Sequence, residues 1–317
     1  MNAVFYYTPH EVKNIKWDMK KILVTGKNGQ VGHALVELLP PRVELHAVDS
    51  QAFDLTNEMQ VRQLIQSVRP HVIINAAAFT AVDQAEREEA GAYAVNARGP
   101  QIIGQEAAKI GAVVVHFSTD YVFDGKKKTP YLETDKTNPL SNYGASKLQG
   151  EKLLLEACPE SVVLRTSWVV SSHGANFAKT MLRLAAEKDQ LSVVADQFGA
   201  PTPAKLLAQV VSVVLDQLEA QGTANFPYGC YHVAPSGETN WCDYARFVIG
   251  EAIKLGADLK VTPAQVHPIK TADYPTAAKR PKNSRLNTTL FQKTFGMPMP
   301  TWQSGIIEIV QALYQEH

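Results

Sequence analysis

The sequence predicts an α/β fold: a doubly wound parallel sheet of the Rossmann type with a smaller α/β domain beside it. Short apolar runs rich in Val and Ile alternate with helical stretches, the pattern of buried parallel strands joined by helices. Spaced glycines, Gly26, Gly29 and Gly32, separate the first predicted strand from the first helix. Further along, Tyr143 and Lys147 stand one turn apart at the head of a helix, so both side chains lie on one face.

Length and composition are typical of a globular protein of one or two domains, with 317 residues, 45% of them hydrophobic and 20% charged. Lys plus Arg and Asp plus Glu both number 31, and this balance argues against a nucleic-acid partner. The three cysteines have no paired spacing, which excludes a disulfide framework or zinc site and favours a reducing cytoplasm. No apolar run is long enough to predict a membrane span.

The first strand runs from Lys21 to Gly26, and a helix follows from Val31 to Leu39. Glycines between a strand and a helix allow a tight turn and let backbone N–H groups approach a pyrophosphate. The N-terminus of the helix adds unpaired N–H groups and partial positive charge. This segment therefore predicts a dinucleotide site.

The next strand, Val43 to Val48, ends at Asp49, where a carboxylate can accept hydrogen bonds from the adenosine ribose. The same carboxylate would repel a 2′-phosphate, which favours NADH over NADPH; the alternative is an ordinary turn aspartate. Asp54 lies either at the adenine edge or in a turn that it fixes itself. Thr56 or Asn57 can cap the helix that follows.

A third strand begins at His71 and runs into small residues at Ala76 to Ala78, where a cofactor can lie against the backbone. The stretch from Asp83 to Ala108 is mostly helical, with Gly91, Gly99 and Pro100 as breaks. Asn96 within it is either a polar contact under the site or a cap.

The strand from Ala112 to Phe117 leads to Thr119, which we expect at the same sheet edge as Tyr143 because ligands bind beyond the carboxyl ends of parallel strands. A tyrosine titrates near pH ~10 and is a poor acid or base at neutral pH. The ammonium of Lys147 favours the phenolate and lowers the pKa of Tyr143, which predicts general acid/base chemistry. The Thr119 hydroxyl can polarise a carbonyl shared with Tyr143.

The second half supplies further elements: a strand from Ser161 to Val170, helices from Asn176 to Glu187 and Pro203 to Glu219, and strands Leu191–Val194 and Tyr231–Val233. Asn240 or Thr239 caps a further helix that runs to Leu255. Trp168 can stack on a sugar or base, or belong to the core. His232 is expected to be a core histidine. Arg280, in a basic stretch, suits a diphosphate.

The domain division that we predict assigns residues 19–165 to dinucleotide binding, with 203–235 returning to that domain. Residues 166–202 and 236–317 form the substrate domain, and residues 1–18 are an extension.

Motifs spread along the chain resemble the extended short-chain dehydrogenase/reductase superfamily and, within it, the dTDP-4-dehydrorhamnose reductase family. They are Gly26-Lys27-Asn28-Gly29-Gln30-Val31-Gly32, Asn75-Ala76-Ala77-Ala78-Phe79-Thr80-Ala81-Val82-Asp83, Ser118-Thr119-Asp120-Tyr121-Val122-Phe123, Tyr143-Gly144-x-x-Lys147, Arg165-Thr166-Ser167-Trp168-Val169, Asp196-Gln197-Phe198-Gly199-Ala200-Pro201-Thr202 and Arg280-Pro281-x-Asn283-Ser284. As a set they are far more specific than the glycines alone.

The resemblance implies NAD(P)H-dependent reduction of the C4 ketone of dTDP-4-dehydro-6-deoxy-L-mannose to dTDP-L-rhamnose, used in cell-surface polysaccharides such as lipopolysaccharide. Thr119, Tyr143 and Lys147 would be catalytic. The dinucleotide would lie against Gly26, Gly29, Gln30, Val31, Gly32, Asp49, Asp54, Leu55, Ala78, Phe79, Thr80, Tyr143 and Lys147. Thr119, Asp120, Tyr121 and Trp168 would meet the nucleotide-sugar, with Arg280 added from its charge. The resemblance also implies a homodimer and Mg²⁺, for which Glu308 is the one candidate ligand.

Two other functions are compatible with the same fold. A nucleotide-sugar dehydratase or epimerase is one, but dehydratases of this type follow the threonine with an Asp-Glu pair, whereas here Asp120 and Tyr121 follow Thr119. A non-catalytic regulatory subunit of methionine adenosyltransferase is the other, and the intact group of Thr119, Tyr143 and Lys147 argues against it.

Overall fold

A computed structural model of the chain describes residues 20–39 and 43–315. The strands along the chain are β1 (Lys21–Thr25), β2 (Glu44–Val48), β3 (Val72–Asn75), β4 (Val113–Thr119), β5 (Ser161–Thr166), β6 (Val169–Val170), β7 (Leu191–Val194), β8 (Phe198–Gly199), β9 (Thr202–Pro203), β10 (Gly229–His232), β11 (Thr239–Asn240) and β12 (Val266–Ile269). Six of them form one sheet in the order β10-β5-β4-β3-β1-β2, with every neighbouring pair parallel. The predicted doubly wound parallel sheet is confirmed.

The helices are α1 (Gln30–Leu38), α2 (Glu58–Val68), α3 (Val82–Ala85), α4 (Glu89–Tyr93), α5 (Gly99–Ile110), α6 (Asn142–Ala157), α7 (Phe177–Glu187), α8 (Ala204–Gln221), α9 (Trp241–Lys254), α10 (Thr289–Phe295) and α11 (Trp302–Gln315), with a π-helix at Ala94–Arg98. Successive side chains of a strand point to opposite faces of the sheet. Thus Ile22 and Val24 join the core under α1 and α8, while Leu23 joins the core under α2, α5 and α6.

Two predicted elements are interrupted. The stretch from Asp83 to Ala108 is interrupted only between Ala85 and Glu89. The breaks predicted at Gly91, Gly99 and Pro100 are wrong, because α4, the π-helix and α5 follow one another without a gap. The single strand predicted from Ser161 to Val170 is wrong: it breaks after β5 at Trp168, whose φ of 48° is left-handed. Beyond that break the chain leaves the central sheet, and β6 pairs with β9.

Helix capping follows the sequence. The Asn57 side chain, rather than that of Thr56, accepts the N–H of Gln60 at the start of α2. Asn240 accepts the N–H of Asp243 at the start of α9.

A second unit packs beside the carboxyl ends of the sheet strands. It is built from α7, α9 and α11 with the short pairs β7–β12 and β8–β11, around cores that include Tyr244 and Ile249. Within residues 203–235, by contrast, α8 packs on α1 and β10 extends the central sheet at β5. The opening between sheet and second unit holds the candidate site.

The predicted extension, residues 1–18, lies outside the described residues. None of the helices within residues 20–39 and 43–315 is long and apolar enough to cross a membrane.

Candidate active site

A cleft of about 820 Å³ opens at the carboxyl ends of β1, β3, β4 and β5. The loops that follow these strands form one wall, and the segment from Thr166 to Phe177 with the first turn of α9 forms the other. It is lined by all but two of the residues that the sequence analysis assigned to catalysis, cofactor and substrate: Gly26, Gly29, Gln30, Val31, Asp49, Asp54, Leu55, Ala78, Phe79, Thr80, Thr119, Asp120, Tyr121, Tyr143, Lys147 and Trp168. The two that do not line it are Gly32 and Arg280.

The tight turn below the cleft requires a glycine at position 32. A Cβ at Gly32 would lie 2.0 Å from the carbonyl oxygen of Gly26, so no larger residue fits without moving the backbone. Among the described residues, no side chain caps the first turn of α1, whose N–H groups stay available to an anion. The turn thus fits a dinucleotide pyrophosphate, as predicted for this segment.

Gln30 ties the glycine turn to the opposite wall of the cleft. Its Oε1 accepts from Ser171 Oγ at 3.1 Å and Asn176 Nδ2 at 3.0 Å, and its Nε2 donates to the carbonyl of Val169. Its side chain therefore serves the fold, which leaves its backbone to meet a cofactor.

The Asp49 carboxylate is held by its own loop. The N–H groups of Gln51 and Ala52 donate to Oδ1 at 3.0 Å each, and Asn28 Nδ2 donates to Oδ2 at 3.0 Å. The N–H of Ala52, the Lys27 ammonium at 3.3 Å and the N–H of Gln51 lower the pKa of Asp49 and keep it ionised. Asp49 therefore has both features considered for it: it fixes its own turn, and it lines the cleft. Lys27, which the sequence analysis missed, places a positive charge beside this carboxylate.

Asp54 is exposed and fixes its own turn, since its Oδ1 accepts from the N–H of Thr56 at 2.8 Å and the Thr56 hydroxyl at 2.7 Å. This is the turn alternative weighed for it in the sequence. Asp54 nevertheless lines the cleft, so its free oxygen can meet a ligand.

Asn96 was considered either a polar contact under the site or a helix cap, and the structure supports the polar contact. Its Oδ1 accepts the N–H of Phe79 at 2.8 Å, and its Nδ2 donates to the Phe79 carbonyl at 3.0 Å and to Ser146 Oγ at 3.1 Å. It lies in the π-helix, a geometry that often marks functional sites. Asn96 thereby fastens the loop after β3 to α6, which carries the candidate residues Tyr143 and Lys147.

Tyr143 projects into the cleft from the first turn of α6. The Ser141 side chain caps this helix through the N–H of Gly144 at 3.2 Å. A Cβ at Gly144 would lie 2.2 Å from the carbonyl oxygen of Tyr121, so glycine here lets α6 approach the end of β4. The Tyr143 ring packs edge-on against Tyr121, with centroids 5.5 Å apart.

The predicted lowering of the Tyr143 pKa by Lys147 is wrong for this structure. Burial raises the pKa of Tyr143 to about 12, the nearby Asp120 carboxyl adds to the rise, and its polar contact with the Thr119 hydroxyl opposes it. The reason is the orientation of Lys147, whose Nζ donates to the carbonyl of Phe117 at 2.7 Å and meets His116 Nε2 at 3.3 Å.

Lys147 itself is perturbed. It is 2% exposed, and burial lowers its pKa to about 8 while the Glu151 carboxylate opposes the shift. The sequence analysis missed its partner His116, although one polar residue in the apolar run Val113–Phe117 was a usable signal.

Asp120 is the most unusual acid in the cleft. It is 2% exposed, burial raises its pKa to about 7, and its Oδ2 has no hydrogen-bond partner among the described residues. A buried, unpaired acceptor is costly unless a ligand group meets it. Asp120 is thus well placed for a hydroxyl-bearing ligand.

Comparisons with known proteins agree with this geometry. Residues 19–315 match the family described as RmlD substrate binding domain. Over 301 residues the chain is 45% identical to the dTDP-4-dehydrorhamnose reductase of Escherichia coli (strain K12), covering 92% of this chain and 98% of that protein. The chain belongs to the dTDP-4-dehydrorhamnose reductase family.

Solved structures of the dTDP-4-dehydrorhamnose reductase family have the same fold. The Clostridium acetobutylicum structure is 38% identical, with a TM-score of 0.84 over 92% of this chain and 99% of that one. The Bacillus anthracis structure, solved in complex with NADP, is 36% identical, with a TM-score of 0.82 over 92% and 98%. The resemblance inferred from the motifs is confirmed.

In this member of the dTDP-4-dehydrorhamnose reductase family, Trp168 forms the far wall of the cleft with Trp241. The two rings stack with centroids 3.7 Å apart, and the left-handed backbone of Trp168 holds its ring in that position. Trp241 and its neighbour Tyr244 also line the cleft, and the sequence analysis missed both. They lie in the first turn of α9, nearly a hundred residues after Tyr143, and belong to no motif that the sequence analysis used.

Arg280 is placed differently from its prediction as a diphosphate ligand. Its guanidinium pairs with the Asp83 carboxylate, with Nη2 to Oδ2 at 2.6 Å and Nη1 to Oδ1 at 3.2 Å. The pair links the substrate side to the start of α3. Arg280 is not among the residues that line the cleft.

No ligand group for the Mg²⁺ that the resemblance implies is found among the described residues of the single chain. Across residues 20–39 and 43–315, no three His, Cys, Asp or Glu side chains are grouped to hold a metal ion. The candidate Glu308 is exposed on α11 and pairs with Lys205 at 2.9 Å.

Proposed function

We propose that this protein reduces the C4 ketone of dTDP-4-dehydro-6-deoxy-L-mannose to dTDP-L-rhamnose with NAD(P)H, for the synthesis of cell-surface polysaccharide. The observation that carries the proposal is one cleft in which Thr119, Tyr143 and Lys147 converge beside a glycine turn, in a chain of the dTDP-4-dehydrorhamnose reductase family. Three groups of this kind suit the addition of hydride and proton to a carbonyl.

Tyr143 supplies the proton. The reduced nicotinamide provides the hydride when bound, and negative charge then develops on the ketone oxygen. Because the pKa of Tyr143 is about 12, its hydroxyl is protonated at neutral pH and can donate to that oxygen. The Thr119 hydroxyl, at the end of β4, stabilises the same oxygen by a second hydrogen bond.

Lys147 supplies positive charge below the tyrosine. With a pKa of about 8 it is mostly an ammonium at neutral pH and loses its charge just above. Two of its three donors are directed at His116 and the Phe117 carbonyl, so one is left for the cleft and a cofactor ribose.

Asp120 and the tryptophan pair bind the sugar nucleotide. The unpaired Oδ2 of Asp120 accepts a sugar hydroxyl, and Tyr121 lies beside it at the cleft surface. The ring of Trp168, stacked on Trp241, offers a flat apolar face to the sugar or base.

NADH is the cofactor that we propose it prefers. The ionised Asp49 favours ribose hydroxyls and opposes a 2′-phosphate. Lys27, 3.3 Å from that carboxylate, offsets part of the repulsion, so the preference over NADPH should be modest.

Assembly and location are proposed from the family resemblance: a homodimer in the cytoplasm. Light scattering on the purified protein, with and without EDTA, tests both the dimer and any dependence on Mg²⁺. A monomeric mass in both conditions would refute the dimer.

The test of the activity is direct. The purified protein is incubated with NADH and dTDP-4-dehydro-6-deoxy-L-mannose, nicotinamide absorbance is followed, and the product is compared with authentic dTDP-L-rhamnose. Substrate-dependent loss of absorbance and the matching product are expected. A different stereoisomer would indicate another reductase or epimerase, while tight NADH binding without turnover would favour a regulatory subunit.

A further inference from the structure

A row of buried polar side chains crosses the sheet beneath the cleft and ends at Lys147. Thr25, Asn75 and His116 are aligned residues of β1, β3 and β4, as the strand registers show. Thr25 Oγ1 is 2.7 Å from Asn75 Oδ1, Asn75 Nδ2 is 3.0 Å from His116 Nδ1, and His116 Nε2 is 3.3 Å from Lys147 Nζ. Each member is 2% exposed or less. Such a row in the core of a sheet is costly unless every group is paired.

We propose that His116 is a positioning residue that holds the Lys147 ammonium and sets the pH range in which it stays charged. This inference rests on the proposed reductase function of the same cleft. An ammonium can only donate, so His116 Nε2 must accept from Lys147. A neutral imidazole that accepts at Nε2 carries its hydrogen on Nδ1, and His116 is kept neutral by burial and by Lys147, which lower its pKa.

The rest of the row can satisfy that tautomer. With Asn75 turned so that its amide oxygen meets His116 Nδ1, its NH₂ group donates to the Thr25 hydroxyl; oxygen and nitrogen of an amide occupy nearly the same space. In the orientation that the structure has, Asn75 Nδ2 faces His116 Nδ1, and the same row donates toward a neutral Lys147 amine. The Thr25 hydroxyl can bond to Asn75 in either orientation of the amide, because a hydroxyl both donates and accepts. The row can therefore hold Lys147 in both protonation states, and in the charged state it contributes a hydrogen bond to the ammonium.

Several charges near α6 belong to ion pairs of their own. The titratable groups on the elements around Lys147 are Tyr143, Glu151, Lys152 and Glu156 on α6, Arg165 on β5, Asp120 and Tyr121 after β4, Asp83 on α3 and Glu86 beside it, Glu89 and Tyr93 on α4, Arg98 in the π-helix, and Glu106 and Lys109 on α5. Glu151 raises the pKa of Lys147 and is itself paired with Arg165 at 2.6 Å. Glu106 pairs with Arg62 and Lys109, and Arg98 with Glu58.

The experiment compares His116→Phe, His116→Gln and, as a matched control, His232→Phe. His232 is a second buried, neutral histidine, in β10, that bonds the Tyr131 carbonyl at 3.0 Å and does not line the cleft. The pH dependence of kcat with NADH and the sugar nucleotide is measured for each, together with NADH affinity and thermal stability. The side-chain amide of glutamine can place an acceptor near the position of Nε2, whereas phenylalanine cannot.

His116→Phe removes the acceptor and so destabilises the Lys147 ammonium. The high-pH limb of kcat, the pH at which kcat falls on the alkaline side, should therefore drop by about one unit, which corresponds to the free energy of a hydrogen bond to a charged group. His116→Gln should restore most of this shift. His232→Phe should lose stability without moving the limb. An unmoved limb in folded His116→Phe, or equal shifts in the Phe and Gln variants, would overturn the proposal.

Two further measurements keep the outcome decisive. If His116→Phe does not fold, Thr25→Val removes the far hydroxyl of the row and should shift the limb in the same direction by less; no shift contradicts the proposal. If the wild-type protein does not reduce the sugar, the proposed function fails, yet NMR titration of isotope-labelled lysine in the cofactor-free protein still reports the Lys147 pKa. A lower pKa in the variant supports the positioning role independently of turnover.

Discussion

Tyr143→Phe tests the proposed chemistry most directly. The change removes one hydroxyl and keeps the ring, which still packs edge-on against Tyr121. The glycine turn and Asp49 lie elsewhere in the cleft, so NADH affinity should be unchanged. What is lost is the group that gives a proton to the ketone oxygen.

The size of the effect follows from the groups that remain. Thr119 still donates a hydrogen bond to the oxygen, and Lys147 still provides charge, so part of the stabilisation survives. Loss of a positioned general acid costs ~10²-fold or more in rate, which is about 2.7 kcal/mol in the activation barrier. We therefore expect kcat to fall by ~10²-fold or more while the KM for NADH changes little.

The assay is steady-state absorbance with NADH and the sugar nucleotide, with NADH binding measured separately by fluorescence. Tyr228→Phe is the control, because Tyr228 also carries a buried hydroxyl without a partner among the described residues but lies outside the cleft. It should keep near wild-type turnover. Near-normal kcat in Tyr143→Phe would refute Tyr143 as the proton donor.

Three other predictions concern charge. Asp49→Ala should weaken NADH binding more than NADPH binding, and Lys27→Ala should do the reverse; titrations with both cofactors check this, and equal effects would remove the ribose assignment. Burial raises the Asp120 pKa to about 7, so the folded protein binds this proton more tightly than the unfolded chain and loses stability as the pH rises from about 4 to 7. Asp120→Asn removes the titrating group and should raise the free energy of unfolding at pH 8 by up to about 4 kcal/mol, with no gain at pH 4. Equal free energies in the variant and the wild type at pH 8 would mean that the carboxyl titrates normally. Arg165→Met should cost about 3–5 kcal/mol in chemical denaturation because it strands the buried Glu151 carboxylate, and a neutral result would contradict that pairing.

Local patterns predicted most of the scaffold because they depend on neighbours in the chain. Apolar runs predicted β1, β3 and β4, and Asn57 and Asn240 cap the helices that they precede. The strand predicted at 161–170 was wrong, because the left-handed Trp168 ends pairing with the sheet, and β12, α10 and α11 were not predicted. Arg165, Thr166 and Ser167, the polar residues just before Trp168, were the local sign of that break.

Motif spacing likewise predicted which residues meet in the cleft. The glycine turn, Thr119 and Tyr143 each follow a strand of the same parallel sheet, and the carboxyl ends of such strands share one edge. That rule brings residues more than a hundred positions apart together without knowledge of their contacts.

The sequence by itself determined the fold, the family and the identity of the cleft, since each depends on local periodicity and on the order of elements. Tertiary structure alone decided how charges are shared: Arg280 pairs with Asp83, 197 positions away, and Lys147 turns to His116 instead of Tyr143. Electrostatic pairing depends on distances of a few ångströms and on burial, and neither quantity is encoded in residue type or spacing.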